Sequence, residues 1–405
     1  MKAKIRISKT VLRICIALLA SIKIDSLQYI LPSRFATFFN YWLPMMVFAF
    51  YLVILVQYRH GVSKIMKLIG GFFAVFFVCT IIKNTSGVQA LMAQLASLLA
   101  VTVVTEYYMQ KAPYRYFQAV LCTLFVLILI DLGSILLFPN GLYSTISYTE
   151  CWFLGYKTSR MRIATMPIIM VAAILSIKKR NKLDIKFWLI STVALVDTYL
   201  SKNTGGVITI GVMLCLLLLI YGSRRENVRL TIMKLFNFRF CVILIIAITV
   251  VVNIFLNLSF LTPIINNIPG KEMTMWGRIR IWTECLNLFK SSPIIGNGYV
   301  LGSKFVELVG FNAATQPHSF MLAILVYMGI VGLLLFFVIL NRVLSYVDRK
   351  QPYATTPICA TYLICMLFHG IISMHLFAPF MFASMIILYY MNSLDGGVGY
   401  SIKTL

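Results

Sequence analysis

His318 opens an apolar run, "HSFMLAILVYMGIVG", directly after a polar stretch that ends in Gln316 and Pro317. A neutral imidazole near pH 7 accepts a proton from a hydroxyl group, so this is the first residue in the chain to which chemistry attaches. Upstream, "TMWGRIRIWTECLNLFKSSP" (274–293) reads as an amphipathic helix, with Thr274 as its cap and Ser291, Ser292 and Pro293 as its stop. On a helical wheel Ile279, Trp282, Leu286 and Phe289 share one face, while Arg280, Glu284 and Asn287 share the other. Arg280 and Glu284 stand four apart, the spacing of an ion pair along a helix. Arg278 borders the apolar stripe and has no acidic partner within the helix. The pattern therefore ranks Arg278 ahead of Arg280 as a residue for an anion.

Other residues of matching chemistry lie near the same boundary. "PIIGNGY" (293–299) follows the helix, and Gly296 and Gly298 permit a tight turn or a backbone cradle for an anion. "YKTSRMRIATMP" (156–167) supplies Arg160 and Arg162, and "SKNTGG" (201–206) supplies Lys202. Any one of these, taken alone, reads as a membrane-surface anchor. The case rests on several cations in one compartment, where Glu150, Glu272, Glu284 and Glu307 are the acids at hand. Two acids, Asp131 and Asp197, sit inside apolar runs, where a carboxylate is costly and usually paired. Asp197 is placed to orient Lys202 or another cation. His369 and His375 flank a later run and read as structural.

The elements that must position these groups are membrane helices. Of the 405 residues, 60% are hydrophobic and 12% charged, against roughly 25% charged in soluble domains. Mean hydropathy is +0.89. Apolar blocks recur near the length of about 20 residues that crosses a bilayer. They fall at 10–30, 40–57, 67–82, 88–104, 117–138, 164–177, 187–200, 206–221, 240–258, 319–340, 358–374 and 377–392. The expected fold is an all-α polytopic membrane protein of about twelve transmembrane helices. A large outer loop separates the ninth from the tenth and contains the amphipathic helix. The units are an N-terminal membrane bundle (1–258), the extracytoplasmic loop (259–317) and C-terminal membrane helices (318–405), forming one integral unit.

With the N-terminus inside, two-thirds of the 36 basic residues fall on the inner side, so both termini are expected in the cytoplasm. The same topology accounts for most of the +24 net charge: runs such as "KKRNK" (178–182) face anionic lipid, and no nucleic-acid partner is expected. The nine cysteines form no CxxC pair and no metal spacing.

"GRIRIWTECLNLFKSSPIIGNGY" followed by "HSFMLAILVYMGIVGLLLF" resembles a region shared by the Wzy-type O-antigen and capsular polysaccharide polymerases and the O-antigen ligases. The likeness covers roughly residues 277–340, and the many-span architecture agrees over the rest. It implies a bacterial enzyme of the cytoplasmic membrane that joins sugars carried on undecaprenyl pyrophosphate at the outer face, for capsule or O-antigen. His318 and Arg278 match the family's catalytic motif positions, and Arg162 resembles the arginine of an earlier loop. Lys202 stands where many members carry arginine, which loses the bidentate grip on phosphate oxygens. The implied partners are the lipid-linked oligosaccharide, membrane lipids, a chain-length regulator and a flippase of the same pathway. No cofactor or metal is expected. Within the family the resemblance favours a polymerase, with an O-antigen ligase as the alternative. A flippase or transporter is the reading from another class, although flippases are commonly built from two related halves and no such repeat is visible.

Overall fold

Apolar runs of this length can satisfy their backbone within a bilayer only as helices, and a computed structural model of the chain is built almost wholly of them. It describes residues 8–57, 61–145, 148, 150–180, 182–222, 238–255, 272–310, 315–347 and 355–395. The first helices are α1 (Lys9–Ser21), α2 (Leu27–Ile30) and α3 (Ser33–Thr37), which runs through a π-helical turn into α4 (Leu43–Gln57). Next come α5 (Lys64–Lys83), α6 (Val88–Lys111) and α7 (Pro113–Leu137). A small antiparallel hairpin, β1 (Cys151–Trp152) and β2 (Gly155–Tyr156), leads into α8 (Lys157–Ile177), α9 (Ile185–Leu200) and α10 (Thr204–Gly222). The remainder is α11 (Phe238–Phe255), α12 (Glu272–Ser291), α13 (Ser303–Val309), α14 (Phe320–Val347), α15 (Thr356–His369) and α16 (Pro379–Asp395).

Among the described residues, seven helical stretches are long and apolar enough to cross a membrane: Ser33–Gln57, Lys64–Lys83, Thr85–Lys111, Pro113–Leu137, Arg160–Ile177, Thr204–Gly222 and Phe320–Val347. Phe238–Val252, Thr356–His369 and Pro379–Asn392 are shorter apolar helices. The chain is an all-α, multi-pass membrane protein. Each of the expected apolar runs falls on a helix, but the first is interrupted. α1 stops at Ser21, and Lys23 pairs with Asp25 across the bend at 3.4 Å. Two opposite charges two residues apart are more stable out of the lipid, paired in a turn, than carried through it. α12 begins at Glu272, so Thr274 lies inside its first turn and not at the cap.

α8 is the most enclosed of the seven, with 89% of its membrane-length window buried. It packs against α7, α9, α10, α15 and α16. Basic residues at its start therefore point into protein.

α14 is broken. Gly329, in its middle, has φ 62° and ψ −156°, and the turn at 293–298 is sewn into the break. Asn297 N and Gly298 N donate to the carbonyls of Val326 and Tyr327 at 2.7 and 3.1 Å, while Ile330 N and Val331 N donate to those of Pro293 and Ile294 at 2.8 and 3.1 Å. Irregular backbone at membrane depth survives where protein satisfies its polar groups, and here the turn does so. The backbones touch so closely that a Cβ on Gly296 would lie 2.5 Å from Met328 N. The turn continues onto α5: Tyr299 N donates to Thr80 Oγ1 at 3.1 Å, and Asn84 Nδ2 donates to the Tyr299 carbonyl at 2.6 Å. These contacts fix the carboxyl end of α12 against the membrane bundle.

Candidate functional site

On α12, Ile279, Ile281, Trp282 and Cys285 are buried, and Leu286 and Phe289 are half-buried beside them. Arg280 is exposed, and Arg278 is half-buried at the edge of the stripe. Glu284, on the outer face, accepts from Asn287 Nδ2 at 3.2 Å. The Arg278 guanidinium lies within Coulombic range of the Tyr156 and Tyr148 hydroxyls, and burial lowers its pKa below the usual arginine range. Tyr148 and Tyr156 stack face to face, with ring centroids 3.7 Å apart. They form an aromatic wall beside Arg278.

His318 takes a left-handed backbone conformation, φ 52°, which is uncommon outside glycine and typically costs about 1–3 kcal/mol. The strain is held in place on its far side, where Phe320 N donates to the Gly370 carbonyl at 2.8 Å and ties the start of α14 to the end of α15. Burial, and then the nearby Arg278 charge, push the His318 pKa down to about 4. The imidazole is therefore neutral at pH 7 and able to accept a proton.

Arg162, in the first turns of α8, donates from Nη2 to the Met374 carbonyl at 2.8 Å, and its Nε is buried without a hydrogen-bond partner. The Asp25 carboxylate acts on it most strongly, followed by the Tyr362, Tyr148 and Tyr299 hydroxyls, all within Coulombic range. Beside it, His369 Nδ1 and His375 Nε2 are 2.5 Å apart, and both rings are buried. Arg162 and Arg278 both lie within Coulombic range of His369. Two cations on separate elements thus act on one histidine, each with tyrosines in its own Coulombic range.

Two other basic residues singled out from the sequence, Arg160 and Lys202, are each paired with a carboxylate. Arg160 is fully buried on Asp131, with Nε–Oδ2 at 2.9 Å, and its guanidinium sits 4.6 Å over the Trp152 ring. Asp131 Oδ1 also takes Leu154 N at 2.7 Å, which ties the β-hairpin to α7. Asp197 is buried within Coulombic range of both Asp131 and Arg160, so it serves this unit and not Lys202. Lys202 reaches Glu150, Nζ–Oε1 2.9 Å, in a pair whose side chains are 65% and 36% exposed. The N–H groups of Gly296, Asn297, Gly298 and Tyr299 all donate to protein acceptors. The turn thus joins backbones and leaves none of those four N–H groups for an anion.

The association of His369 with His375, and of both with Arg162, escaped the sequence reading, which treated the two histidines as separate structural residues. The available signal was a pair of histidines six apart around a short break between two apolar runs.

Residues 189–337 match a family model described as O-antigen ligase. The matched stretch, a little over a third of the chain, runs from within α9 to within α14 and is similar to that family. It contains Asp197, Lys202, Arg278, Arg280, Glu284, Gly296, Gly298 and His318. Arg160, Arg162, His369 and His375 lie outside it. No curated protein matches the chain.

Proposed function

We propose that the protein is a membrane glycosyltransferase that polymerises undecaprenyl-pyrophosphate-linked oligosaccharide units into capsular or O-antigen polysaccharide. The reaction takes place at the outer face of the bacterial cytoplasmic membrane, with both chain termini inside. The observation that carries the reading is that Arg162 and Arg278, on separate elements, both lie within Coulombic range of His369, with a neutral histidine, His318, within range of Arg278. The match to an O-antigen ligase model over α9–α14 supports the same substrate class.

In the proposed reaction a hydroxyl of the acceptor sugar attacks the anomeric carbon of the donor and gives its proton to His318. The bond from that carbon to the pyrophosphate oxygen breaks, and the lipid pyrophosphate leaves with the electron pair. Negative charge grows on the leaving group, and fixed guanidinium groups in a partly dehydrated site stabilise it more in the transition state than in the ground state. Arg278 and Arg162 take that role. Tyr148 and Tyr156 offer ring faces to a sugar near Arg278. Arg160 and Asp197 hold the scaffold, and Lys202 and Arg280 lie at the rim. A ligase, favoured by the likeness of residues 189–337 to the O-antigen ligase family, would use the same donor chemistry and pass the glycan to a different acceptor.

The test is the polysaccharide ladder of cells lacking the gene, complemented with wild type, His318→Ala, Arg278→Lys or Arg280→Lys, with lipid-linked sugars extracted in parallel. Loss of the ladder in His318→Ala and Arg278→Lys, with single units accumulating outside and Arg280→Lys near normal, supports the polymerase. Full-length polymer stranded on its lipid indicates the ligase. Units trapped on the inner face indicate a flippase and refute the reading, and normal chain length in His318→Ala removes histidine as the base.

A further inference from the structure

The turn between α15 and α16 is held across its width by side chains. Its backbone bonds are local: Ile371 N and Ile372 N donate back to Phe368 and His369, and Ala378 N to His375. What joins its two sides is the contact between His369 Nδ1 and His375 Nε2. The carbonyl next to each histidine serves the site. Met374 O, one residue before His375, takes the Arg162 guanidinium at 2.8 Å. Gly370 O, one residue after His369, takes Phe320 N, two residues beyond His318, also at 2.8 Å. Gly205 at the start of α10 closes over the pair, since a Cβ there would lie 3.3 Å from His369 Nε2. The carbonyls flanking the pair are therefore bonded one to Arg162 and the other to the start of α14.

We propose that His369 and His375 form a positioning clamp that sets the distance between Arg162 and the start of α14, and so between the phosphate-binding arginine and His318. The inference rests on the reading of Arg162 as a pyrophosphate contact. Each neutral imidazole has one N–H and one bare nitrogen, so a single proton between the rings makes one hydrogen bond. That bond carries the clamp, with no covalent step and no contact with substrate. Breaking it frees the Met374 carbonyl, and the guanidinium that it orients, to move. Displacements of about 1 Å in groups that stabilise a transition state cost on the order of 100-fold in rate.

Side-chain amides separate the clamp from a filler of space. The amide of asparagine overlays Nδ1 of histidine and that of glutamine overlays Nε2, so His369→Asn with His375→Gln rebuilds a hydrogen bond at the same place. His375→Ala and His369→Ala remove it. The readout is stabilisation of the purified full-length protein by inorganic pyrophosphate, measured as a rise in melting temperature across a concentration series, which needs no turnover. Wild type and the Asn/Gln double variant should bind pyrophosphate alike. The alanine variants should bind at least about tenfold more weakly, the effect of one misplaced hydrogen bond to a charged group.

Pyrophosphate affinity in His375→Ala equal to wild type overturns the clamp while leaving Arg162 as a phosphate contact. An Asn/Gln variant that folds and binds no better than alanine also overturns it, because the imidazoles would then act through something other than their mutual bond. No pyrophosphate effect on the wild type removes the reading of Arg162, and the clamp falls with it. Should the alanine variants not fold, His375→Leu and His369→Leu take their place, filling the space with no hydrogen bond to offer; pyrophosphate affinity equal to wild type in those variants overturns the clamp.

Discussion

The join between the 293–298 turn and the break in α14 makes a graded prediction about glycine. Gly296 has φ 66°, and a Cβ there would meet backbone of α14 at 2.5 Å, with Met328 N and Tyr327 C as its nearest neighbours. Gly310 has nearly the same φ, 65°, in the left-handed region, but nothing within 4 Å of its Cβ position, and Gly133 lies in α7 with open space around it. Gly310→Ala therefore carries only left-handed strain, about 1–2 kcal/mol. Gly133→Ala should be neutral or stabilising by up to about 1 kcal/mol. Gly296→Ala carries the same strain and must also push the turn off α14, where Asn297 N and Gly298 N make their bonds. At about 1 kcal/mol net for each of those two bonds, and more if a buried group stays unsatisfied, the total reaches roughly 3–4 kcal/mol. Gly329→Ala should behave as Gly296→Ala does, because its Cβ would fall on the Pro293 and Ile294 backbone. Melting of the four purified variants in one detergent, followed by size-exclusion loss or tryptophan fluorescence, gives the ranking directly. A Gly296→Ala protein that melts with Gly310→Ala would refute the join, since only strain would then distinguish either from wild type.

Three further outcomes are expected. Arg160→Met leaves Asp131 as a buried, uncompensated carboxylate and should destabilise the fold by about 3–5 kcal/mol, seen as loss of protein from the membrane; adding Asp131→Leu should recover only part of it, because the Leu154 N–H loses its acceptor and Asp197 stays buried. Lys202→Ala, which removes an exposed pair with Glu150, should change stability by less than about 1 kcal/mol and leave transfer near wild type. With His318 held at about 4, below its unfolded value near 6.5, kcat/KM should stay level from neutral pH downward and fall as the pH drops through about 4. Bound pyrophosphate, an anion, favours the imidazolium, so the limb in kcat should lie at higher pH than the limb in kcat/KM; coincident limbs would place His318 out of reach of the phosphate.

The helical runs could be read from the sequence because burial in lipid writes itself in composition, and Arg278 could be told from Arg280 because a helical wheel separates positions two residues apart. The same wheel fails on α8. That helix is enclosed on nearly all sides, so the alternation of Arg160 and Arg162 says that they diverge but not which neighbour each meets. One finds Asp131 and the other the Met374 carbonyl, partners that lie 29 and 212 residues away in sequence. The break in α14 is silent for a related reason. "VYMGIVG" has no proline or polar residue to mark it, and a single glycine inside an apolar run is compatible with a continuous helix. Only the arrival of "PIIGNG", some thirty residues earlier in the chain, supplies the carbonyls and N–H groups that make the broken form stable. The first apolar run did carry its own warning, Lys23 and Asp25, and the helix stops there.

The choice of acceptor for each cation separates scaffold from site in a way that charge counting does not. Lys23 meets Asp25, Arg160 meets Asp131 and Lys202 meets Glu150; in each case a carboxylate both orients the cation and cancels its charge. Arg162 is oriented by a carbonyl. A carbonyl fixes the direction of a guanidinium without cancelling its charge, and the one carboxylate within Coulombic range of Arg162 among the described residues, Asp25, is paired with Lys23. That difference matters most in a partly buried site, where the screening that weakens exposed pairs is reduced. An arginine already neutralised by a buried carboxylate would have to lose that partner to take up a phosphate, at a cost that removal of one member from a buried pair puts near 3–5 kcal/mol. Arg162 has no such exchange to make with Met374, because the carbonyl can remain its ligand while Nε, buried and without a partner, turns to the anion. On this argument Arg162 and Arg160, two residues apart on one helix, are divided between binding and support by the neutrality of one acceptor and the charge of the other.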